Sequence, residues 1–573
     1  SNMNNKPKLE LTWIGKDQQP KLEPRILIED PEKSYGDKNT ENMLIYGDNL
    51  LALKALEQDF TGKIKCIYID PPYNTGNAFE HYDDGVEHSV WLNLIKSRLE
   101  ILYNLLSTDG IIFISIDDTE QAYLKILCDE LFGRENYCGS FIWEKKRKPS
   151  FLSSQLATIT EYVLAFSKNR NLAPPFILST VESSETYPLY NAGNARGIIK
   201  FPVGAVKFLK FSDGIYPPKE YKEKTSSVKL INELIIENGT NKNEFLLEGE
   251  WRYSQDSIYE QIKAGDYYVV KTKKFRPRRV FASNSLGKKM HNLLSRAHYD
   301  IATYEDATAE SINLFGDNPF TYPKPEMLIS VLINSVTKIN DLVLDSFLGS
   351  GTTAAVAHKM KRKWIGIELG EHCHTHCIPR LQKVCDGTDQ GGISKSVNWK
   401  GGGGFKYYYL APSLLKQDKY GNWIIEEKYN ADMLAAAMAK HNNFKYQPSE
   451  EVYWKQGQSS EKDFIYTTTQ FITVEKLDQI HEEMQPDENL LICCKKFSKP
   501  CENRYSNITI KKIPQMLLGK CEFGREDYSL NIITMPRNEN EPEFVPKGPN
   551  KKKVVKEEAD TPDLFEDSNG ADE

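Results

Sequence analysis

The stretch LVLDSFLGSGTTAAVAHKMKRKWIGIEL, residues 342–369, decides the fold. An apolar run ends at Asp345, a glycine turn follows, then an alanine-rich helical run, then a second apolar strand ending in Glu368. Strand, turn, helix and strand at this spacing are the unit of a parallel α/β sheet, whose ligands sit at the carboxyl ends of the strands. Glycines at 349 and 351 let a ligand approach the backbone, and Glu368, 23 positions after Asp345, can accept ribose hydroxyls. The pattern predicts a nucleoside site. Gly349-Ser350-Gly351-Thr352-Thr353-Ala354 also satisfies the loose dinucleotide fingerprint, so a nicotinamide oxidoreductase competes. Asp345 favours a ligand with a cationic amino-acid group, because it would repel a pyrophosphate. The sequence has no G-x-x-x-x-G-K-[ST] motif and so encodes no nucleotide-hydrolysing motor of that kind.

Upstream, residues 43 to 168 repeat the same alternation of strand and helix, with an extra strand pair at the end, CGSFIWE and EYVLAFSK. Within it, IKCIYIDPPYNTGN, residues 64–77, is a buried-strand pattern stopped by Asp70, Pro71, Pro72 and Tyr73. The prolines cannot donate backbone hydrogen bonds and stiffen the turn. Asp70 and the Pro71 carbonyl can each accept one N–H of an exocyclic amine, while Tyr73 can stack on the ring that bears it. A plain strand-to-loop exit could read the same way.

The grammar resumes at 325–384, so two half-sheets flank an irregular segment rich in Tyr, Lys and Pro. That segment contains YYVVKTKKFRPRRVF at 267–281, in which Lys271, Lys273, Lys274, Arg276, Arg278 and Arg279 lie among aromatics without an acid, as a phosphate-tracking surface requires. Lys145, Lys146, Arg147 and Lys148 form a second basic run. The aromatics of KYYY, residues 406–409, are expected to serve packing. His372, Cys373, His374, His376 and Cys377 resemble a metal site, but on the expected helix only the i, i+4 pairs share a face, and the two pairs point apart by ~100°. No metal is expected, because a structural zinc needs four converging ligands.

A length of 573 residues calls for several domains. The 40% hydrophobic and 27% charged composition is that of a globular protein, with no apolar run long enough for a membrane span. Ser1-Asn2-Met3 reads as an expression scar, and the segment behind it lacks a signal-peptide core, so the cytoplasm is expected. Ten cysteines without a C-x-x-C pair fit reduced thiols. The net charge of −7 does not exclude nucleic acid, since one basic face suffices.

With DPPYNTGN at 70–77, FLGSG at 347–351, a long segment between them, and IYGDNL, ISIDD, YPKPEMLI and WIGIELGEHCHTHCIPRLQKV alongside, the chain resembles the β-group amino-methyltransferases of DNA, and within them the modification subunits of type III restriction–modification systems. The resemblance covers roughly residues 40–170 and 320–400. It implies a Rossmann-like α/β methyltransferase using S-adenosylmethionine to methylate adenine N6 in double-stranded DNA, with base flipping, no metal and no covalent intermediate. It places Asp70, Pro71, Pro72 and Tyr73 on the target base, and Asp48, Lys324, Asp345, Phe347, Gly349, Gly351, Thr352 and Glu368 on the donor. The implied organisation is an N-terminal arm (1–40), a catalytic half (41–170), a target-recognition insert (171–305), a donor-binding half (306–390), an α+β C-terminal domain (391–545) for dimerisation or partner contact, and a disordered tail (546–573). A homodimer and a separate restriction subunit are the expected partners. Methylation of cytosine N4 would use the same motif geometry, and the chain could instead serve chiefly as the DNA-binding specificity subunit of a separate nuclease.

Overall fold

A computed structural model describes residues 10–72, 84–147, 156–177, 186–223, 227–280 and 289–524. Its centre is an eleven-stranded sheet. In chain order the strands are β1 (Leu27–Glu29), β2 (Met43–Tyr46), β3 (Ile64–Ile69), β4 (Leu106–Ile116), β5 (Tyr137–Glu144), β6 (Thr160–Ser167), β7 (Leu293–Leu294), β8 (Leu342–Asp345), β9 (Lys363–Glu368) and β10 (Gly404–Leu410), with Tyr35–Gly36 added on β10. The order across the sheet is β1-β10-β2-β9-β8-β3-β4-β6-β5-β7. From β10 to β4 all pairs are parallel; β1 on β10 and the β4-β6-β5 group are antiparallel.

Each strand alternates its apolar side chains between two layers, as a pleated strand buried on both faces must. Ile67 and Ile69 join the layer formed by α1 (Asn49–Phe60), α2 (Asp84–Leu105) and α3 (Gln121–Phe132). Cys66 and Tyr68 face the other layer, with α4 (Tyr304–Phe315), α5 (Glu326–Val336), α6 (Thr352–Lys359) and α7 (Ile378–Asp386). This is the α/β fold that the sequence predicts, with one refinement. The two half-sheets interleave: β8 and β9 enter between β2 and β3, pairing Leu344 with Ile67 and Ile367 with Ile45. Asp345 and Asp70, 275 positions apart, therefore stand at the carboxyl ends of neighbouring parallel strands.

The inserted segment builds its own core from Leu189 to Phe275, under a seven-stranded and a four-stranded sheet. Its ends differ from the sequence reading of 171–305. Ala173 and Phe176 pack on the central core, and Leu293–Leu294 pairs with Ile142–Trp143 of the central sheet. At the other end, β10 carries the KYYY run into the sheet beside β2, with Tyr407 buried and Tyr409 more than a third exposed. The C-terminal region proper follows, with a hairpin (Leu415–Gln417 and Trp423–Ile425), a helix (Ala431–His441) and a five-stranded sheet. No helix among the described residues is long and apolar enough to cross a membrane.

Candidate active site

The turn after β8 is organised by two acids. Asp345 is buried; its Oδ1 accepts the Phe347 N–H at 2.9 Å and its Oδ2 accepts the Thr353 hydroxyl at 2.6 Å. Burial pushes this carboxyl up to about 7, opposed by those two hydrogen bonds and reinforced by the negative charges of Asp70 and Glu368. Glu368, at the end of β9, accepts the N–H of Gly349 at 2.6 Å, of Leu369 at 2.9 Å and of Gly370 at 3.1 Å. Gly349 (φ 59°) and Gly351 (φ 88°) hold left-handed backbone that a side chain would strain.

Behind this turn lies the cluster that looked metal-like in sequence. The expected helix is a π-helical turn at Cys373–Cys377 before α7 begins. The Cys377 thiol donates to the Gly349 carbonyl at 3.0 Å, and its Cα lies 3.5 Å from where a Cβ on Gly351 would sit. His372 pairs with Glu368 at 2.9 Å, His374 meets the Tyr407 hydroxyl at 2.7 Å, and His376 meets the Asn318 carbonyl at 2.9 Å. These side chains brace the glycine turn and point to separate partners.

Asp48 caps α1, accepting the N–H groups of Leu50 at 2.7 Å and Leu51 at 3.2 Å. Its neighbour Asn49 donates to the Ser346 carbonyl at 2.8 Å and accepts from Arg98 at 2.5 Å, which ties the β2–α1 loop to the β8 turn. Phe347 is half-buried, and the Thr352 hydroxyl faces inward, accepting from Arg380 at 3.0 Å. The Ser346 hydroxyl is buried and has no hydrogen-bond partner among the described residues. A buried carboxyl held by neutral donors, an orphan hydroxyl and a turn open at glycine fit a nucleoside that carries an amino-acid group.

Next to it, Asp70 leaves β3 with one-fifth of its side chain exposed. The Pro72 carbonyl accepts the Trp91 indole N–H at 2.7 Å, which pins the Asp-Pro-Pro turn to α2. Tyr73 lies outside the described residues. Lys324, which the resemblance puts on the donor, instead reaches Asp70 at 3.3 Å and Glu161 at 3.2 Å, and donates to the Tyr304 hydroxyl at 2.8 Å. Burial pulls this ammonium down, but Asp70 and Glu161 outweigh it and hold its pKa above the usual lysine value.

The sequence model of the DNA methylase family matches residues 64–378, from the strand that leads into Asp70 to the turn behind Gly349. The chain belongs to the DNA methylase family. Among curated relatives, the chain is 36% identical over 420 residues to the "Probable type III restriction-modification enzyme HindVI Mod subunit" of Haemophilus influenzae, covering 65% of this chain and 54% of that one. It is 29% identical over 385 residues to the StyLTI Mod subunit of Salmonella typhimurium, covering 60% and 55%. It is 28% identical to the type II methyltransferase M.KpnI of Klebsiella pneumoniae, covering 56% and 77%. The chain thus spans little more than half the length of the first two relatives. Among solved structures, a PvuII DNA methyltransferase (cytosine-N4-specific) aligns at 16% identity and a TM-score of 0.33, covering 63% of this chain and 95% of that one.

The insert's basic run divides in the folded chain. Arg276 pairs with Glu223 at 2.8 Å and lies 4.4 Å over the Tyr190 ring; Arg278 donates to the Thr186 carbonyl at 2.6 Å; Arg279 donates to Asp266 at 2.6 Å. All three are half-buried and knit strands together, so the expected open arginine surface is largely an internal network. Lys271, Lys273 and Lys274 stand exposed on the turn before it, with Lys274 paired to Glu223. Lys145 turns inward onto Glu161 at 3.1 Å, Arg147 pairs with Asp306, and Lys148 lies outside the described residues. Sequence reasoning missed Glu161, Tyr304 and Arg98. Two of them carried a signal of burial, though not of their partner: Glu161 is an acid near the start of a buried strand, and Arg98 sits on the apolar face of α2 between Leu94 and Leu102.

Proposed function

We propose that the methylase transfers a methyl group from S-adenosylmethionine to adenine N6 at one short DNA sequence, as the modification and specificity subunit of a type III restriction–modification system. One observation carries the reading: a buried acid beside an open glycine turn and an acid-Pro-Pro turn are brought to adjacent strand ends by residues 275 apart. S-adenosylmethionine would be held by Asp345 at its cationic amino-acid end, by the backbone at Gly349 and Gly351, and by the Glu368 carboxylate at its ribose; it supplies an electrophilic methyl group.

The protein's own work is on the acceptor. Adenine's exocyclic lone pair is delocalised into the ring, so the amine is a poor nucleophile. Asp70 and the Pro71 carbonyl accept its two N–H groups, orient them and favour a more tetrahedral nitrogen. A stacked base cannot reach this crevice and must leave the duplex, at a cost of a few kcal/mol, with Tyr73 as its stacking partner. Exposed lysines at 271, 273 and 274 supply phosphate contacts, and the insert selects the sequence. Adenine is favoured by the Asp spelling of the motif and by the resemblance to Mod subunits. The Mod relatives also favour a separate restriction subunit as partner. A homodimer would form through the region after residue 411, where Tyr420, Tyr453 and Phe471 are exposed. Such an enzyme works in the cytoplasm, beside the DNA.

The test is to express the chain in a host without adenine methylation and sequence that host's DNA with detection of modified bases. Methyladenine at a single short motif is expected. Methylcytosine at such a motif would move the target to N4, and unmodified DNA from cells containing folded protein would overturn the reading.

A further inference from the structure

The lysine beside Asp70 is built in from several elements. Lys324 is 7% exposed, and its ammonium meets Asp70 from β3, Glu161 from β6 and the Tyr304 hydroxyl from α4, with the rings of Trp143 and Tyr304 5.5 and 5.2 Å away. Glu161 is itself buried, takes a second ammonium from Lys145 at 3.1 Å and accepts the Tyr304 O–H at 3.1 Å. A lysine that only contributed a surface charge would need none of this. We propose that Lys324 is a positioning residue: braced by Glu161 and Tyr304, it holds the Asp70 carboxylate ionised and in one orientation for the target amine. The inference rests on the reading of Asp70 as the group that receives that amine.

The charge balance says why the lysine matters. Two ammoniums, Lys324 and Lys145, face two carboxylates, Asp70 and Glu161, in a mostly buried site. Burial pushes Glu161 up, yet the two lysines draw it below the usual glutamate value, so it stays an anion. Removing the Lys324 charge leaves Glu161 with Lys145 and leaves Asp70 without this cation. Three further described groups lie nearby: Tyr68, bonded to the Ser115 hydroxyl at 2.7 Å, and two acids, Asp345 at the end of the neighbouring strand and Asp117 near Glu161 and Lys145. Asp70 then protonates more readily. A protonated carboxyl donates on one oxygen and loses part of its capacity to accept an amine N–H, whereas the anion offers about four lone-pair directions, enough for both lysine and amine.

The experiment measures single-turnover methyl transfer from labelled S-adenosylmethionine to DNA of a methylation-deficient host, from about pH 5.5 to about pH 9, for the full chain and for Lys324→Met, Lys324→Arg and Tyr304→Phe. Donor binding is measured by calorimetry on each preparation. Lys324→Met should bind the donor like the parent, while the acidic limb of its rate profile moves up from below the measured range to about pH 7. Its transfer at about pH 6 should then fall roughly tenfold and recover at high pH. Lys324→Arg should lie between, and Tyr304→Phe should move the limb less. An unchanged profile for Lys324→Met, or a loss by one factor at every pH, would overturn the proposal. If Lys324→Met no longer binds donor, Tyr304→Phe decides, and an unmoved limb there overturns it. Normal transfer by Asp70→Ala would instead remove the reading beneath, since Lys324 would have nothing to position.

Discussion

Asp70 and Asp345 end neighbouring parallel strands, yet the protein treats the two acids oppositely. Asp70 is given a resident cation, Lys324, at 3.3 Å. Asp345 is given only a hydroxyl and an amide N–H, is fully buried, and is pushed up to about 7. The first faces a fixed ammonium in the protein as it stands. Burial draws the second toward its neutral form, and an arriving cation would favour its anion. On the proposed reading, adjacent carboxylates acquire two jobs from their surroundings: one would receive N–H groups, the other would attract a positively charged ligand.

The largest change to one side alone should come from the glycine turn. Gly349→Val forces a β-branched residue into φ 59°, at a cost of about 1–3 kcal/mol, and sets its Cβ 3.5 Å from the Phe320 ring, so the turn must shift. Calorimetry should show S-adenosylmethionine affinity down roughly 10- to 100-fold, with DNA affinity in a gel-shift assay close to the parent. An equal loss of both would erase the separation between the two acids.

A smaller effect follows from protons. The Asp345 carboxyl is raised from 3.8 to about 7 on folding, so its protonated form stabilises the fold at low pH, and that contribution is lost as pH rises through about 7. A cationic donor needs the ionised form. Donor affinity should therefore rise by up to about tenfold per pH unit below 7 and level off above it, with proton release seen as a buffer-dependent binding enthalpy. Asp345→Asn should flatten that dependence; a pH-independent affinity in the parent would mean that Asp345 does not meet the cation.

The smallest effect on donor binding, none, is expected at the insert. Neutralising Lys271, Lys273 and Lys274 should reduce the salt slope of DNA binding by up to ~0.9 per lost phosphate contact and leave S-adenosylmethionine affinity unchanged. Neutralising Arg276, Arg278 and Arg279 should also lower the insert's stability, because Glu223 and Asp266 would each lose an arginine partner. An unchanged salt slope in the lysine variant would move the DNA surface elsewhere.

The parts of this site that the sequence displays are local. Asp-Pro-Pro and Gly-Ser-Gly act through backbone restrictions that operate within a few residues, so the ends of β3 and β8 could be read directly. The carriers of Asp70's environment could not. Residues 145, 161, 304 and 324 come from four separate segments, and nothing in Glu161 or Tyr304 alone tells that they will meet one lysine. Long-range strand pairing is similarly hidden. The apolar character of β10 was visible, but its parallel register with β2, more than 350 residues earlier, depends on the whole sheet. The π-turn escaped for a different reason: its composition suits an α-helix equally well, and the extra residue per turn serves the packing of Cys377 on the glycine turn.

The division of labour is tested most directly by one crossed measurement, donor binding and methyl transfer on the same preparations of Asp70→Ala and Asp345→Ala. Asp70→Ala should bind S-adenosylmethionine within about twofold of the parent and transfer no measurable methyl group, while Asp345→Ala should lose donor affinity by roughly tenfold or more. Near-normal transfer by Asp70→Ala, or donor binding lost equally in both variants, would contradict the account.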